Sequence, residues 1–483
     1  MKKIIYSILA FALLALTSCE DFTDVQPKGK NLLTTTDQLE MLLNNEFDGN
    51  KSDMRVMAGD MIRSFSNLAT QINKPTKTRS VIMWTYDEAN MDKMAELTSS
   101  DADYSYYYGI IGTISNPILT QIDKATGDEG VKKQLKAEAL TLRAWSLYML
   151  VNKFAKAYNP STAKTDPGII NMTEDIDISV NQSKSTVQQI YDQILKDVNA
   201  AIELNSLPDK AINKMRMCKP AAYAIKSMAL LSMQNWEEAE VAAKQAIAIN
   251  PAVNNYNEQY LSTATSNNGT INVVIDRGVK GTDEDYFLNT HEEWWYAIDI
   301  HSWNNLEKGH AYHDKMNTMN MSYDYDPAKD YSKKWLGEEP GSFVFDNDMN
   351  SEWNDGGLRS TQMYLTIAEC EFHQNHIDKA MEALDKIRIN RIDANDYEPL
   401  KGNVTTKEDA ITHIKQVTLN EDLFSVNIFI DKKRWNQLED WKASYSHTLA
   451  GRTYTITPDS KMWIFPFPQN VTNNNPQITQ NYK

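Results

Sequence analysis

Cysteine is scarce and positive charge is in deficit in this 483-residue chain. The three cysteines, Cys19, Cys218 and Cys370, are too few for a disulfide framework and form no metal-type cluster. Lysine and arginine together number 49 against 65 acidic residues, which makes the formal net charge −16. Because a chain this acidic repels phosphate backbones, we expect no nucleic-acid partner.

Catalytic and metal-binding motifs are also missing. The sequence has no G-x-S-x-G, no Walker loop and no G-x-G-x-x-G, and nothing in it nominates a pair of glycosidase carboxylates. The weak metal signals are two histidine pairs and one run of oxygen-bearing side chains: His310 and His313, His373 and His376, and Asp346, Asp348, Asn350 and Glu352. The pairs lack a general-base motif, and the run lacks the glycine and final acid of an EF-hand loop. We therefore predict a non-catalytic protein with neither metal nor cofactor.

Long apolar runs are confined to the start of the chain. Ile4–Leu16 is apolar, follows Lys2 and Lys3, and is too short to span a bilayer core of roughly 30 Å as a helix. This arrangement is typical of a signal peptide. Elsewhere charged residues interrupt the apolar runs, so we expect no membrane-spanning segment.

The end of the apolar run looks like a lipobox, because Leu16 is followed by two small residues and then Cys19. Residues 1–18 are therefore expected to be a lipoprotein signal peptide, with Cys19 acylated and residues 19–36 forming a tether. The alternative is plain secretion, with Cys19 at that position by chance.

Apolar residues recur at helical spacing along most of the remaining chain. In one long segment they include Leu135, Ala139 and Leu142. The ranges expected to be helical are 37–49, 102–126, 130–157, 185–205, 213–233, 235–250, 358–374, 376–391 and, as two helices, 405–440. The sequence therefore predicts a mainly α fold.

Two helical pairs repeat each other. Ser227 and Ala239 are 12 residues apart across one turn, and Ala368 and Ala380 are 12 apart across another. Small residues at this spacing let two helices cross closely, as in tetratricopeptide units of about 34 residues. Pro251 is expected to stop the second helix of the first pair.

The stretch 252–356, between the two pairs, differs in character. It is rich in Asn, Gly, Asp, Trp and Tyr and has no helical period. Thr270–Ile275 is its one clear short strand. Long irregular regions inside folded proteins are more often functional than idle, so this stretch is where we expect the function to lie.

Motifs along nearly the whole chain carry a family resemblance. They are Cys19–Pro27, Ala137–Val151, Asp166–Ile169, Val187–Ile202, Arg359–Arg388 and Phe465–Asn481. In this order they resemble the SusD/RagB family of outer-membrane nutrient-binding lipoproteins. Asn420–Asn427 departs from the family pattern, because a usual Phe-Glu-Gly element is lost there. The resemblance therefore supports the fold but carries no particular substrate.

The resemblance implies a SusD-like fold, with tetratricopeptide-type helix pairs as scaffold and a loop-rich ligand face with a few short strands. Residues 37–483 would form a single domain. Its helical repeats would lie at about 130–157, 185–205, 213–250 and 358–391, and the ligand-face insert at about 252–356.

The same resemblance implies a function at the cell surface. The chain would be lipid-anchored to the outer membrane at Cys19 and would capture oligosaccharide without cleaving it. It would then pass the glycan to a partner TonB-dependent, SusC-like transporter, whose barrel the helical repeats would face.

Aromatic side chains outside the helical pattern are the candidate ligand contacts. Sugar rings present C–H patches that pack on aromatic faces, and their hydroxyls need carboxamide and charged partners. The candidates in the insert are Trp294, Trp295, Tyr296, Trp303 and Asn304; Trp84 and Tyr86, in another stretch interpreted as non-helical, are added to them.

Other conspicuous residues are expected to be framework. Tyr106–Tyr108, Trp145 and Trp236 lie at helical positions where core packing is favoured. Cys218 and Cys370 also lie on predicted helices, where buried inert thiols are the usual case.

Three alternatives stay open. The ligand could be a peptide or glycopeptide in the same role. The chain could instead be a non-catalytic helical-repeat scaffold that binds only protein, which burial of the aromatic rings of 291–305 would favour. A carboxylate pair in a deep cleft would revive an enzyme.

Overall fold

The computed structural model describes residues 33–45, 47, 52–62, 66–259, 263–265, 271–273, 282–292, 296–312, 332–339, 342–346 and 352–481. Its α-helices are α1 Thr36–Leu43, α2 Met54–Ala58, α3 Leu68–Ile72, α4 Arg79–Trp84, α5 Met91–Glu96, α6 Ala102–Ile110, α7 Asn116–Gln121, α8 Glu129–Phe154, α9 Val187–Glu203, α10 Lys219–Ser232, α11 Trp236–Ile249, α12 Tyr256–Gln259, α13 Ile300–Asn304, α14 Ser360–His373, α15 Ile377–Arg388, α16 Lys407–Glu421, α17 Asn427–Trp435 and α18 Gln469–Asn474. The predicted mainly α fold is confirmed.

The long helices stack side by side in chain order. Helix α8 packs on α9, α9 packs on α10, and α10 packs on α11. Helix α11 then packs on α14, and α14 packs on α15. The α11–α14 contact joins two helices separated by more than a hundred residues of sequence. The insert 252–356 therefore leaves the stack after α11 and returns to it at α14, without interrupting the row of helices.

The predicted repeat of two helix pairs is confirmed in the packing of α10 with α11 and of α14 with α15. Ser227 and Ala239 are fully buried, and the Ser227 hydroxyl donates a hydrogen bond of 2.9 Å to the Ala239 carbonyl. The two turns also match, since Gln234 and Asn375 have positive φ angles of 62° and 65°. Both residues lie two positions before the second helix of their pair.

Helix ends differ from the predicted ranges where a local signal was misinterpreted. The range 213–233 begins as a helix only at Lys219, because Pro220 occupies the first turn and a helix cannot continue through a proline toward its N-terminus. Helix α9 begins at Val187, two residues into the predicted range 185–205, because Thr186 caps it by accepting from the Gln189 amide. In the range 37–49, helix α1 ends at Leu43.

Residues 79–84, interpreted as non-helical, form helix α4. Thr78 caps it by accepting a hydrogen bond from the Val81 amide. The helix is six residues long, too short for a hydrophobic period to be visible in the sequence. This short helix carries Trp84 into the core, where its side chain is 2% exposed.

Short antiparallel strands hold the insert together. The strands are β1 Met61–Ile62, β2 Thr263–Thr265, β3 Ile271–Val273, β4 Asp285–Phe287, β5 Thr290–Glu292, β6 Tyr296–Asp299, β7 Phe343–Asp346, β8 Glu352–Asn354, β9 Leu358–Arg359, β10 Tyr445–Leu449 and β11 Arg452–Ile456. The pairs are β2–β3, β4–β9 and β5–β8, and β6 lies between β1 and β7. Strand β3 matches the predicted strand over 271–273.

The β10–β11 hairpin is absent from the sequence-based prediction. Its turn places Ala450 and Gly451 at φ angles of 51° and 69°, a geometry that usually calls for Asn-Gly or Asp-Gly. Alanine at the first position hides that signal. The single N–H of Ala450 is shared between the two carboxylate oxygens of Glu338, at 2.9 and 3.0 Å, which supports the strained turn.

The C-terminal motif closes the fold through amide side chains. Gln480 exchanges two hydrogen bonds with the backbone of Phe467, at 2.7 and 2.9 Å. The Asn481 amide donates to the carbonyls of Phe154 and Phe465, both at 2.7 Å. The rings of Phe154 and Phe467 also stack on each other. These contacts hold the C-terminal segment against the end of the long helix α8.

Of the expected framework residues, Tyr107 and Trp145 are confirmed as core, and Tyr106, Tyr108 and Trp236 are half-buried and pack against it. Tyr107 and Trp145 are buried, with ring centroids 5.2 Å apart, and Trp236 stacks on His373 at 4.0 Å. Both helix-borne thiols are buried. Burial raises the pKa of Cys218 to about 11 and that of Cys370 well above its usual value, which makes both poor nucleophiles.

None of the helices in the described part of the chain combines the length and the apolar character that a membrane span requires.

Candidate functional site

A cleft of about 270 Å³ opens where the insert meets the C-terminal helices. We call it the Tyr86 cleft. Its lining comes from five separate parts of the chain: Ala58, Gly59 and Asp60; Tyr86; His301, Ser302 and Asn305; Leu419, Leu423 and Lys432; and Tyr445 and Ser446. It is formed by tertiary packing, since these parts are far apart in sequence.

A buried ion pair lies in the wall of the cleft. The Lys432 ammonium is 2.5 Å from Asp60 Oδ2, and it also donates to the Ala58 carbonyl at 3.1 Å. The Ser302 hydroxyl donates to the other carboxylate oxygen of Asp60 at 2.7 Å. The pair therefore links α2, α13 and α17, and both charges are compensated within the protein.

Two tyrosine rings, those of Tyr86 and Tyr445, also line the cleft. Lys432 Nζ is 4.4 Å from the centroid of the Tyr445 ring, within cation–π range. Burial, reinforced by the carboxylates of Asp60 and Asp299, raises the pKa of Tyr86 well above its usual value; burial likewise raises the pKa of Tyr445. Both side chains are therefore neutral phenols at neutral pH.

Backbone geometry beneath Tyr86 is unusual. Tyr86 has a φ of 46°, and Gly59, at φ 88°, lies directly under the phenol. A Cβ atom added to Gly59 would be 2.2 Å from the Tyr86 hydroxyl oxygen, so only glycine fits there. Strained backbone of this kind clusters at functional sites, which supports a role for the cleft.

Histidine 447 orients the Tyr86 hydroxyl from behind. His447 Nε2 is 2.6 Å from the Trp84 carbonyl oxygen, an acceptor, so this nitrogen carries the proton. Nδ1 is then free to accept from the Tyr86 hydroxyl, 3.4 Å away. Burial lowers the pKa of His447, which keeps the imidazole neutral in this arrangement.

The rim of the cleft is the short helix α13 of the insert. Asp299 caps this helix by accepting from the His301 amide at 2.9 Å. Burial raises the pKa of Asp299. His301, Asn304 and Asn305 are exposed. The rim therefore offers imidazole and carboxamide groups to solvent beside the two tyrosine rings.

The structure brings some of the predicted ligand contacts to this place and not others. Tyr86 lines the cleft, and Asn304 lies on its rim helix. Tyr296 is the first residue of β6, where it pairs with Asp346, and it lies four residues before the start of that helix. Trp294, Trp295 and the lipidation residue Cys19 lie outside the described residues.

Trp84 and Trp303 need correction. Each side chain is 2% exposed. Trp84 belongs to the main core, and Trp303 to a smaller apolar cluster with Ile298 and Phe424. Both indoles fill the interior, because the α4 and α13 turns point them inward, and neither offers its face to a ligand.

Sequence reasoning missed Asp60, Ser302, Lys432 and Tyr445. Ser302 lies within the aromatic stretch 291–305, whereas Asp60, Lys432 and Tyr445 lie outside it, and Asp60 and Lys432 are 372 positions apart. One signal was available. Lys432 is the first of three consecutive basic residues in α17, directly after the apolar run Ile428–Ile430 and Asp431, and a lysine buried in such a helix requires a partner.

The weak metal signals acquire no support. Among the residues that the structure describes, no group of three or more His, Cys, Asp or Glu side chains could hold a metal ion. His376 Nδ1 pairs with Glu371 at 2.8 Å, and His373 stacks on Trp236. His313, Asp348 and Asn350 lie outside the described residues.

Two family models together match most of the chain. Residues 21–231 match a model described as starch-binding, associating with outer membrane, and residues 252–483 match the model of the SusD family. The chain belongs to the SusD/RagB family. The first match ends near the end of α10, and the second begins just after α11, where the insert leaves the stacked helices.

Solved structures of the SusD fold cover nearly all of the chain. A SusD superfamily protein from Bacteroides thetaiotaomicron has a TM-score of 0.64 at 16% identity, covering 93% of this chain and 100% of that one. A SusD-like carbohydrate binding protein from Bacteroides vulgatus has a TM-score of 0.58 at 16% identity, covering 92% and 97%. Surface glycan-binding protein A from Bacteroides uniformis has a TM-score of 0.61 at 14% identity, covering 92% and 99%.

At these identities the likeness to solved SusD structures shows the fold alone. No curated protein matches the chain.

Proposed function

We propose that the chain is a cell-surface glycan-binding lipoprotein. It is anchored at Cys19, captures oligosaccharide at the Tyr86 cleft and the neighbouring insert, and passes it to a TonB-dependent, SusC-like transporter. The observation that carries the proposal is the cleft itself, which combines two tyrosine rings with hydroxyl, carboxamide and imidazole groups. Family membership supports it, since the matching model is described as starch-binding and associated with the outer membrane.

The chemistry of the cleft supports binding without cleavage. Glycoside hydrolysis uses two carboxyl groups on either side of the scissile bond. Asp60 is the only carboxylate among the described residues that line the cleft, and it is tied to Lys432 and Ser302. A group held in this way has no free proton to donate and no freedom to attack a sugar carbon.

Affinity electrophoresis tests the proposal. The mature chain begins at position 19, where the cysteine is replaced by a residue that cannot be acylated. It is run through gels that each contain one polysaccharide. Asn305→Trp fills the mouth of the cleft from an exposed rim position, and we expect it to weaken retardation at least tenfold. Trp294→Ala and Trp295→Ala test the remaining predicted aromatic contacts.

Gln245→Trp is the matched control. Gln245 is exposed on α11, which contributes no residue to the cleft. Retardation of the wild type and of this control, together with loss in Asn305→Trp, supports capture at the cleft. Equal retardation of all variants contradicts the site, and no retardation by any glycan contradicts the function.

A non-catalytic repeat scaffold that binds only protein is the second candidate. Burial of Trp84 and Trp303 favours it, because two rings expected on a ligand face pack the core instead. The same gels distinguish the two candidates. A scaffold is retarded by no polysaccharide.

A receptor for peptides or glycopeptides is tested by calorimetry. It would give a binding signal with peptide mixtures, and Asn305→Trp would reduce that signal.

A further inference from the structure

The charged groups of the Tyr86 cleft are fully committed to each other. Asp60 and Lys432 are the only carboxylate and the only ammonium among the described lining residues, and their side chains are buried. Their contact of 2.5 Å makes the pair neutral overall. A ligand that contacts the described lining residues therefore meets no uncompensated carboxylate or ammonium group.

Lys432 has no hydrogen left for an anionic ligand. An ammonium group carries three N–H donors. One is directed to Asp60, one to the Ala58 carbonyl at 3.1 Å, and the third side of the group faces the Tyr445 ring at 4.4 Å. A sugar carboxylate or sulfate would have to displace Asp60 in order to pair with this lysine.

Anionic sugars need a free cation for binding in such a place. Arginine and lysine supply it through charge-assisted hydrogen bonds, and an anion buried without one is strongly penalised. None of the described residues that line the cleft is an arginine. His301 is an exposed imidazole on the rim, where solvent and salt screen its charge whenever it is protonated.

The charge of the whole chain acts in the same direction. The formal net charge of −16 gives the molecule a negative field, which lowers the local concentration of polyanions and slows their association. The neutral cleft does not offset that field. Uronic-acid and sulfated chains are thus disfavoured both at a distance and on contact.

The groups that remain available suit an uncharged sugar. Ser446 and Asn305 are exposed polar residues beside the rings of Tyr86 and Tyr445. Ring faces pack against pyranose C–H groups, and carboxamides and hydroxyls exchange hydrogen bonds with sugar hydroxyls. At about 270 Å³ the cleft is near the lower end of ligand pockets, which run from about 300 to 1,000 Å³, so it suits a short piece of chain.

We infer that the Tyr86 cleft selects neutral glycans and rejects uronic-acid and sulfated ones. This inference rests on the proposed function, since it names the ligand class of the same site. The selectivity comes from the closed Asp60–Lys432 pair, which removes both charges from the surface that a ligand can contact.

Matched gels test the selectivity. The wild type is run at pH 8, where an ordinary imidazole is uncharged, through neutral polysaccharides and through polygalacturonate and heparin. We expect at least tenfold stronger retardation by a neutral glycan than by either polyanion. Ser446→Arg adds a free cation at an exposed cleft position, and we expect it to gain retardation by the polyanions.

Gln245→Arg controls for net charge, because it makes the same charge change on α11, away from the cleft. Gain of polyanion binding in Ser446→Arg but not in Gln245→Arg supports the inference. Retardation of the wild type by polyanions alone overturns the inference while leaving glycan capture in place. Retardation by neither class overturns the proposed function, and the inference with it.

Discussion

Single residues with constrained geometry shape the floor of the cleft. Gly59 accommodates the Tyr86 hydroxyl because it has no side chain, and its φ of 88° is in the left-handed region. Tyr86 adopts a positive φ without that freedom. His447 and the Trp84 carbonyl hold it in place, so the conformation depends on tertiary contacts and not on local preference.

Replacing Gly59 by alanine should be costly. The left-handed backbone costs an L-residue about 1–2 kcal/mol, and the collision with Tyr86 adds about 1–3 kcal/mol. Gly402→Ala is the matched control, because Gly402 has a φ of 80° and no heavy atom within 4 Å of an added Cβ. Urea unfolding should show Gly59→Ala losing more stability than the control; equal losses would mean that Tyr86 moves aside freely.

Acid sensitivity should arise partly from Glu369. Burial opposes its ionisation, but the Arg434 guanidinium outweighs burial and holds its pKa below the usual value. A carboxyl whose pKa is depressed on folding stabilises the protein above its unfolded pKa of about 4.3, and that contribution is lost as pH falls. The Arg434 Nη2–Glu369 Oε2 distance is 2.8 Å.

Glu369→Gln should therefore lower stability at pH 7 by about 3–5 kcal/mol, because Arg434 loses a buried partner. Its stability should then fall less steeply than that of the wild type between about pH 5 and pH 2. Urea unfolding across that range measures both effects. Glu382→Gln, in the half-exposed pair with Lys401, is the control and should change stability by no more than about 1 kcal/mol. An unchanged acid slope in Glu369→Gln would refute the assignment.

At the scale of elements, small residues decide how closely the helices of each repeat approach. Ala239 and Ala380 are fully buried at the crossings of α10 with α11 and of α14 with α15. The 12-residue spacing made these crossings predictable, because it depends only on helical period and turn length. Helix α4 and the β10–β11 hairpin were not predictable in this way, since the first is short and the second has alanine where a turn residue is usual.

Overpacking the crossing should destabilise the repeat. We expect Ala239→Leu to cost about 1–3 kcal/mol, because the extra methylene groups force α10 and α11 apart and strain the bond from Ser227 to the residue 239 carbonyl. Val241→Leu, on the same helix but 57% exposed, should change stability by less than about 0.5 kcal/mol. Thermal unfolding of the two variants side by side measures the difference. Comparable shifts would place the tight crossing elsewhere.

At the scale of the whole molecule, the proposed lipid anchor and the folded body that carries the cleft have separate roles. The Tyr86 cleft lies on the body, and the proposed anchor is Cys19, at the start of the tether. Acyl chains contribute about 0.8 kcal/mol for each buried CH₂ group, so their loss should release the protein from the membrane.

Cys19→Ala should accordingly move the protein from the membrane fraction to the soluble fraction and abolish labelling by radioactive palmitate. Cys218→Ala is the control, because that thiol is buried in the body and should leave both readouts unchanged. Retention of Cys19→Ala in the membrane fraction with full labelling would contradict the lipoprotein proposal.

The amino-acid sequence by itself determined the features that depend on local period or on motif. Helical spacing predicted the helices, and small residues 12 positions apart predicted the repeated helix pairs. The C-terminal motif was among those that indicated the family. These signals are local, or are repeated along the chain, so they survive without knowledge of the packing.

Only the tertiary structure decided where the aromatic residues point and which polar groups meet. Trp303 lies in the segment where a ligand platform was expected, yet a single short helix turns it into the core. Asp60 and Lys432 become partners only when α2 and α17 pack side by side. Side-chain direction and long-range pairing depend on the path of the whole backbone, and no spacing in the sequence encodes that path.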